Sequence, residues 1–349
     1  MSDVEITQWD GCYPSSWKGI IVPEAFQHPA KFSSKLIERI YRHAVDEMHW
    51  LAPGDRVIDP FGGVALGAYP ALRYGLDWTG CELESRFVNL GNQNIDLWNA
   101  TYQNKLAKWG TARLIQGDSR NLSKVISQAD AAISSPPFIQ TQGGCNVTST
   151  TGPLSDPRLI KRHSAGNQSA NGYGTSDGQL SNLQPGDYKA AISSPPFEDC
   201  LTVVGQKNRD RGPAFNRVGR GCDIDYGNTT GQIGQDHGET FWTAARTIIE
   251  QTYQVLTPGG HAIWVTKRYV KNKSIVDFTG QWIAVCESVG FRTLHIHHAM
   301  LVRHNGTSLT LDGGKIEHKT ESKSFFRRLA ESKGSPRIDW EDVVCMVKA

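Results

Sequence analysis

The sequence predicts an α/β protein with a doubly wound, mostly parallel sheet and long polar insertions. Short apolar strands alternate with amphipathic helices from residue 33 onward, and several predicted strands end in an acidic or polar side chain. The 35 glycines and a mean hydropathy of −0.42 indicate long polar loops. At 349 residues the chain is long enough for one large domain with insertions or for two domains.

The first predicted helix follows a turn at residues 28–33. Ser33 or Ser34 can cap it, and apolar side chains recur on one face at Leu36, Ile37, Ile40, Tyr41, Ala44 and Met48. A strand over residues 56–59 then leads into a glycine loop and a helix that Pro70 can bend or delay. Two further strands, 77–82 and 112–116, flank a helix over residues 85–99. The tips of the three strands carry Asp59, Glu82 and Asp118.

The pentapeptide Ser-Ser-Pro-Pro-Phe occurs twice, at residues 134–138 and 193–197, each time after a short apolar run. Consecutive prolines cannot extend a strand or a helix, because they lack amide donors and fix their backbone angles. Each copy is therefore predicted to end a buried strand and to present a hydroxyl, a carbonyl and an aromatic ring. Ligands bind at the carboxyl ends of strands in open α/β sheets.

Regular structure returns after two polar stretches, 139–187 and 198–238. An amphipathic helix from residue 240 to 256 precedes a buried strand at 261–266. A helix over 277–289 and strands near 292–297 and 298–303 continue the alternation. Between residues 315 and 337 the tail holds seven Lys or Arg and three Glu. Two interpretations of this segment are possible. It is either a docked helix with a solvated face or a segment that contacts nucleic acid.

Composition excludes several classes of protein. The seven cysteines show no CxxC spacing, so neither a zinc site nor a disulfide framework is indicated, and no metal is predicted. We expect reduced thiols in a cytoplasmic protein. The polar start MSDVEITQWDG is not typical of a signal peptide, and no apolar run approaches the roughly 18 residues of a membrane span.

Net charge is only +2, so local patches must indicate any nucleic-acid partner. Five cations lie close together in the second polar stretch, at Lys207, Arg209, Arg211, Arg217 and Arg220. Such a loop suits phosphate contact, although a solvated surface loop is the alternative.

The predicted crevice favours one kind of cofactor. The glycine loop lacks both the GK(S/T) phosphate cradle and the GxGxxG spacing, which disfavours ATP and NAD. Glu82 is placed to accept from a ribose diol, and Asp118 can accept from an adenine amino group. An adenosine ligand without a phosphate cradle indicates S-adenosylmethionine (SAM). The serine and carbonyl of Ser-Pro-Pro-Phe can orient an exocyclic amino group toward a methyl donor, on a base that has left the duplex.

These motifs resemble the amino-group DNA methyltransferases of the N4-cytosine/N6-adenine type, over roughly residues 28–303. The resemblance implies a Rossmann-like SAM methyltransferase fold and cofactor-binding residues at His28, Lys31, Asp59, Pro60, Phe61, Gly62, Gly63, Glu82 and Asp118. It implies catalytic residues in one of two copies, Ser135, Pro136, Pro137 and Phe138 or Ser194, Pro195, Pro196 and Phe197. After DPFGG the family continues S-G-T-T, whereas this chain has Val64-Ala65-Leu66-Gly67.

The resemblance also suggests a division of the chain. We assign residues 1–27 to an N-terminal arm, 28–138 and 188–303 to the catalytic domain, 139–187 to an insertion for target recognition, and 304–349 to a basic C-terminal segment. The sheet has room for one of the two copies, and we expect the first, which lies the shorter distance after Asp118. The second copy remains the alternative.

The resemblance implies methyl transfer from SAM to cytosine N4 in double-stranded DNA, because serine in the first motif position is the form associated with that base. Adenine N6 in DNA, or RNA, is the alternative acceptor. A nucleic-acid-binding module without activity is the alternative from another class. The sequence leaves open the recognition sequence, a restriction endonuclease partner and the oligomeric state.

Overall fold

A computed structural model describes residues 4–13, 16–28, 31–125, 188–193, 239–271, 273–310, 312, 314–323 and 325–349. In chain order the described strands are β1 (Glu5–Trp9), β2 (Arg56–Asp59), β3 (Asp77–Glu82), β4 (Thr111–Gln116), β5 (Tyr188–Ser193), β6 (Leu256–Thr266), β7 (Tyr269–Lys271), β8 (Ser274–Val276), β9 (Phe291–Met300), β10 (Val302–Leu309), β11 (Lys315–Glu321) and β12 (Trp340–Lys348). The helices are α1 (Ser34–Arg42), α2 (Ala68–Arg73), α3 (Ser85–Tyr102), α4 (Leu122–Val125), α5 (Glu239–Val255), α6 (Phe278–Val289) and α7 (Phe325–Ser332).

Eight strands form the main sheet in the order β1-β9-β12-β6-β5-β2-β3-β4. Only β12 runs antiparallel to its neighbours among these eight; the other seven point the same way. The carboxyl ends of β2, β3, β5, β6 and β9 therefore share one edge, which we call the carboxyl edge. The doubly wound, mostly parallel α/β fold predicted from the sequence is confirmed.

Two buried clusters cover the two faces of the sheet. One joins α1, α2 and α3 to alternate residues of β6 and β12, including Ile263, Val265 and Val343. The other joins α5 and α6 to the intervening residues, including Trp264 and Val344. This alternation follows from the period of two in a strand, and an apolar strand buried on both faces is typical of a doubly wound sheet.

The first half of the chain folds largely as its pattern predicts. Ser33 caps α1 by accepting from the backbone N–H of Leu36. The predicted face of α1 is buried at Leu36, Ile37, Ile40 and Tyr41. Pro70 lies in the first turn of α2, where its missing amide costs no hydrogen bond, so the helix begins only at Ala68.

Both ends of the chain join the main sheet, which differs from the predicted division. Residues 5–9, assigned to an arm, form edge strand β1, paired with β9 from Glu5↔His295 to Trp9↔Ala299. Residues 340–348, assigned to a separate C-terminal segment, form β12, which lies between β6 and β9. The predicted strand 298–303 is instead divided between β9 and the β10–β11 hairpin.

The strand β5 occupies the position between β2 and β6, and it leads directly into the second pentapeptide copy. The expectation that the first copy occupies this position is therefore wrong. Sequence distance from Asp118 favoured the first copy, but a parallel crossover can have any length above its minimum. Residues 134–138 and 194–197 lie outside the described residues.

The basic C-terminal segment is largely neutralised within itself. Lys323 is buried and pairs with Glu331 at 3.0 Å and with Asp339. Arg327 pairs with Glu331 at 3.1 Å, and Arg337 with Asp339 at 3.2 Å. Of the two interpretations left open for this segment, the ion pairs favour the docked helix.

Among the helices in the described ranges, none is both long enough and apolar enough to cross a bilayer.

Candidate functional site

A small cleft opens at the carboxyl edge, at the tip of β2. It is lined by His28, Phe32, Asp59, Gly62, Gly63, Val64, Leu66 and Gly67. Four of these residues, His28, Asp59, Gly62 and Gly63, are among those predicted to hold a cofactor. Asp59 is buried, and its Oδ1 accepts from the backbone N–H of Phe61 at 2.8 Å, which fixes the start of the loop.

The two glycines are required by close approach and by backbone conformation. A Cβ on Gly62 would lie 2.4 Å from Cδ1 of Leu114, because the loop packs directly on β4. Gly63 has a φ of +53°, and a Cβ there would lie 3.2 Å from the ring of His28. A side chain at either position would therefore displace Leu114 or His28, and glycine lets the loop pack between them.

Glu82 ties the tip of β3 to this loop. Its Oε2 accepts from the N–H of Gly63 at 3.0 Å, and its Oε1 accepts from the N–H of Glu84 at 2.9 Å. Burial raises the pKa of Glu82 to about 7, although the backbone donors from Glu84 and Gly63 lower it. Each carboxylate oxygen can accept a second hydrogen bond, so the group retains capacity for a ligand hydroxyl.

Asp118 lies at the tip of β4, where it begins a short 3₁₀ turn by accepting from the N–H of Arg120 at 2.9 Å. The Arg120 guanidinium also binds its carboxylate, with the shortest contact at 2.6 Å. The predicted adenine acceptor is therefore already engaged by a cation, and its contact with a ligand stays a prediction.

His28 and Lys31 hold the segment that covers the loop. The His28 ring packs edge-on against Phe87, with centroids 4.4 Å apart, and it borders the cleft beside Gly63. The Lys31 ammonium donates to the carbonyl oxygens of Phe26, at 3.1 Å, and of His28. Lys31 thus fastens this segment rather than lining the cleft.

Pro60 and Phe61 connect the loop to neighbouring elements. The Pro60 carbonyl accepts from the hydroxyl of Ser119, which follows β4. Phe61 is half-buried and packs against the cluster on the α5–α6 face. These two predicted residues lie beside the cleft and fix the loop between β2 and β4.

Asn94 is a positioning residue that the sequence does not reveal. It is fully buried in α3, donates to the carbonyl of Val64 at 2.9 Å and accepts from the N–H of Val22 at 2.8 Å. One side chain thereby joins the N-terminal segment, α3 and the glycine loop. A buried asparagine on an apolar helix face was its only signal in the sequence.

Two residues that follow the glycines of the loop line the cleft with apolar side chains. Val64 and Leu66, together with Phe32, border it, and none of the three is among the residues predicted to form the site. Ala65 has a φ of +63°, a conformation that glycine adopts readily and alanine does not. The loop thus makes a left-handed turn at an alanine, where glycine would be unstrained.

The fifth and sixth strands bring further groups to the carboxyl edge. Ser193 ends β5 and pairs with Trp264 of β6. Just beyond β6, Lys267 pairs with Glu341 at 2.9 Å, and Arg268 lies 3.3 Å from Asp277 and 3.7 Å from Asp342. The predicted phosphate-contacting residues Lys207, Arg209, Arg211, Arg217 and Arg220 lie outside the described residues, as do Ser135–Phe138 and Ser194–Phe197.

Comparison with known proteins reveals similarity only at the level of solved structures. No family model matches the chain, and no curated protein matches it. The solved structures include TrmN from Thermus thermophilus, at 12% identity and a TM-score of 0.38, covering 91% of this chain and 49% of TrmN. They include a putative RNA methyltransferase, PH1948, from Pyrococcus horikoshii, at 11% identity and a TM-score of 0.39, covering 95% and 92%.

They also include magnesium protoporphyrin IX methyltransferase from Synechocystis PCC 6803 with bound SAM, at 10% identity and a TM-score of 0.36, covering 90% of this chain and 79% of that enzyme. The chain spans about half the length of the Thermus protein. Similarity at this level carries no information about ligand or activity.

Proposed function

We propose that the chain is a SAM-dependent methyltransferase that transfers a methyl group to the exocyclic N4 amino group of a flipped cytosine in DNA. The register of β5 carries this proposal. Ala191 pairs with Ile58, so β5 runs beside the strand that ends in Asp59, and in the sequence the second Ser-Pro-Pro-Phe follows Ser193, the last residue of β5. Neighbouring strands lie about 4.8 Å apart, so β5 ends at Ser193 directly beside the strand that leads into the cleft.

The residues around the cleft fit an adenosine ligand that lacks a phosphate chain. Gly62 and Gly63 add no side chain to the lining of the cleft, and the Glu82 carboxylate has lone pairs left for a ribose diol. Val64, Leu66 and Phe32 provide apolar contact, and no Lys or Arg is among the described residues that line the cleft. Asp59 and the glycine loop would hold the cofactor, which supplies an electrophilic methyl group when bound.

The second motif copy has the chemistry to orient the acceptor. The Ser194 hydroxyl and a carbonyl held outward by Pro195 and Pro196 can accept from the amino group of the base, which directs the nitrogen lone pair toward the methyl donor. Phe197 provides a stacking surface for the base. Orientation of this kind provides much of the rate enhancement in group transfer, and a base inside a duplex cannot reach such a pocket.

A methyl-transfer assay with nucleoside analysis tests this function. The purified full chain is incubated with tritium-labelled SAM and double-stranded genomic DNA from a strain that lacks the protein. The DNA is then digested and the labelled nucleoside is identified by mass spectrometry. We expect N4-methyldeoxycytidine, and a parallel incubation with total RNA should remain unlabelled.

Each other outcome identifies an alternative. Label in N6-methyldeoxyadenosine or in RNA keeps methyl transfer but corrects the acceptor. Binding of SAM and retardation of DNA without any transfer would indicate a nucleic-acid-binding module without activity. Absence of SAM binding by calorimetry contradicts the cofactor assignment itself.

A further inference from the structure

A second group of chemically active side chains lies on the sheet face covered by α1. His43, His297 and Cys345 are all buried, and we call them the histidine–cysteine cluster. His43 begins a π-helical turn that follows α1, His297 lies on β9, and Cys345 lies on β12. One ligand atom from each residue can be chosen so that all three lie within 4.8 Å of one another.

The spacing of the two imidazoles agrees with a shared ligand. The Nε2 atoms of His43 and His297 are 3.2 Å apart. Two nitrogens bound to one tetrahedral Zn²⁺ at about 2.05 Å lie about 3.4 Å apart. Cys345 is a free, fully buried thiol, and a thiolate with two imidazoles is a ligand set for thiophilic cations.

The opposite nitrogen of each imidazole is held by an oxygen. Nδ1 of His43 lies 2.9 Å from Oε2 of Glu47, and Nδ1 of His297 lies 2.5 Å from Oγ1 of Thr7. When metal-binding histidines donate their other N–H to a carboxylate or hydroxyl, the tautomer and ring orientation are fixed. With both Nδ1 atoms protonated, the two Nε2 lone pairs face each other at 3.2 Å, and a cation between them would turn their repulsion into two coordinate bonds.

We propose that the histidine–cysteine cluster binds one thiophilic d¹⁰ cation, Zn²⁺ or Cu⁺, through Nε2 of His43, Nε2 of His297 and Sγ of Cys345. Binding forms two metal–nitrogen bonds and one metal–sulfur bond, and it releases the thiol proton to solvent. The alternative is a hydrogen-bond relay without metal, in which Thr7 donates to His297 and His297 Nε2–H donates to His43. The relay involves the two histidines only, whereas metal binding also uses the Cys345 thiol.

The cation joins parts of the chain that are distant in sequence. It ties the end of α1 to β9 and β12, and Thr7 of β1 holds one of its ligands. Folding would therefore be coupled to metal binding in this half of the sheet. This proposal is independent of the methyl-transfer proposal, because none of the three ligands lines the cleft.

Metal titration of the purified, chelator-treated full chain tests the site. Zn²⁺ is titrated in competition with a chromophoric chelator, and Cu⁺ is titrated in the same way without oxygen. We expect one equivalent of one of these ions, with a rise in the melting temperature of the protein. Co²⁺ serves as a spectroscopic probe, because a cobalt–thiolate bond adds a charge-transfer band in the near ultraviolet.

A matched pair of cysteine variants gives the control. Cys345→Ala should remove the cobalt–thiolate band and weaken the binding at least about 100-fold. Cys286→Ala changes an equally buried thiol on the opposite face of the sheet and should leave both unchanged. If Cys345→Ala does not fold, His43→Gln tests the same site with the thiol intact.

Two results would overturn the proposal. One is the absence of any stoichiometric ion, with Cys345→Ala and Cys286→Ala indistinguishable in the titration. The other is an Nε2–H signal of His297 that persists in nitrogen-15 spectra at saturating metal, because a protonated Nε2 cannot be a ligand.

Discussion

The two halves of the main sheet are built in different ways. The half with β2, β3 and β4 comes from one continuous stretch, residues 56–116, in which all strands are parallel and consecutive strands are neighbours. The half with β6, β12, β9 and β1 combines residues 256–266 and 291–300 with both ends of the chain. The first half carries a cleft built by local motifs, whereas the second carries a polar cluster that only long-range pairing creates.

This difference shows what each half contributes. The loop at residues 59–67 brings its acid and its glycines together without long-range pairing, because they lie within five residues of one another. The histidine–cysteine cluster depends instead on the register of β9 with β12, where Val343 pairs with His297. The two halves of the sheet meet at β5, and variants in each half can test them separately.

The largest expected effect concerns the two motif copies at that junction. Pro195→Ala should lower methyl transfer at least about 100-fold, because a displacement of about 1 Å at the acceptor has consequences of that size. Pro136→Ala should remain within about threefold of wild type. Initial rates with tritium-labelled SAM measure both. The reverse order of the two variants would show that the copy outside the described sheet performs the chemistry.

The next effect concerns the cofactor cleft alone. Asp59→Ala removes a buried carboxylate that holds the loop, and we expect SAM to bind about 100-fold more weakly by calorimetry. Asp55→Ala is the matched control, since Asp55 precedes the same strand at its other end and accepts from the N–H of Ala52. Equal affinities for the two variants would place the cofactor elsewhere.

Stability of the second half depends on Asp342. This buried carboxylate accepts from Thr279 at 2.7 Å and from Trp340 at 3.0 Å, and it also lies 3.7 Å from Arg268. Asp342→Ala should lower the free energy of unfolding by about 3 kcal/mol, measured in denaturant.

Asp277→Ala removes a more exposed partner of the same arginine together with a helix cap, at a cost of about 1 kcal/mol. A larger loss from Asp277→Ala than from Asp342→Ala would contradict the network as described.

A moderate effect depends on pH. The Glu82 pKa is about 7 in the folded chain and 4.5 as the ordinary value, so the folded state binds the proton more tightly. Stability therefore falls as pH rises from about 4.5 to 7, and this contribution is constant above that range. A ribose diol prefers the ionised acceptor, so SAM affinity should rise up to about tenfold between pH 6 and pH 8.

Glu82→Gln keeps the shape of the side chain but removes its titration. Any pH dependence that remains in this variant belongs to the cofactor and is subtracted from the wild-type profile. Identical profiles for the wild type and Glu82→Gln would exclude Glu82 from the binding site.

The smallest effects concern the backbone of the glycine loop. Gly63→Ala should lower stability by about 1–2 kcal/mol, because Gly63 has a positive φ and the new Cβ would press on His28. Ala65→Gly should raise stability by less than about 1 kcal/mol, since relief of the left-handed conformation is partly offset by the loss of a buried methyl group. Denaturant unfolding measures both changes, which should have opposite signs in the free energy of unfolding.

Much of the first half could be predicted from the sequence. The cap at Ser33, the strand that ends at Asp59 and the glycine loop after it follow from local pattern, because a cap, a short apolar run and a turn each depend on residues close together in the sequence. The prediction placed His28, Asp59, Gly62 and Gly63 at the cleft, and these four do line it. It did not predict Asn94, whose two partners lie 30 and 72 residues away.

The sequence by itself determined the alternation of strands and helices, the glycine loop and the acids at the strand tips, because each depends on short-range periodicity and turn chemistry. Tertiary structure alone decided that β5, the strand before the second Ser-Pro-Pro-Phe copy, lies beside β2. It also decided that both chain ends enter the sheet and that His43, His297 and Cys345 meet. Strand order and register are set by burial over hundreds of residues, and no local pattern encodes them.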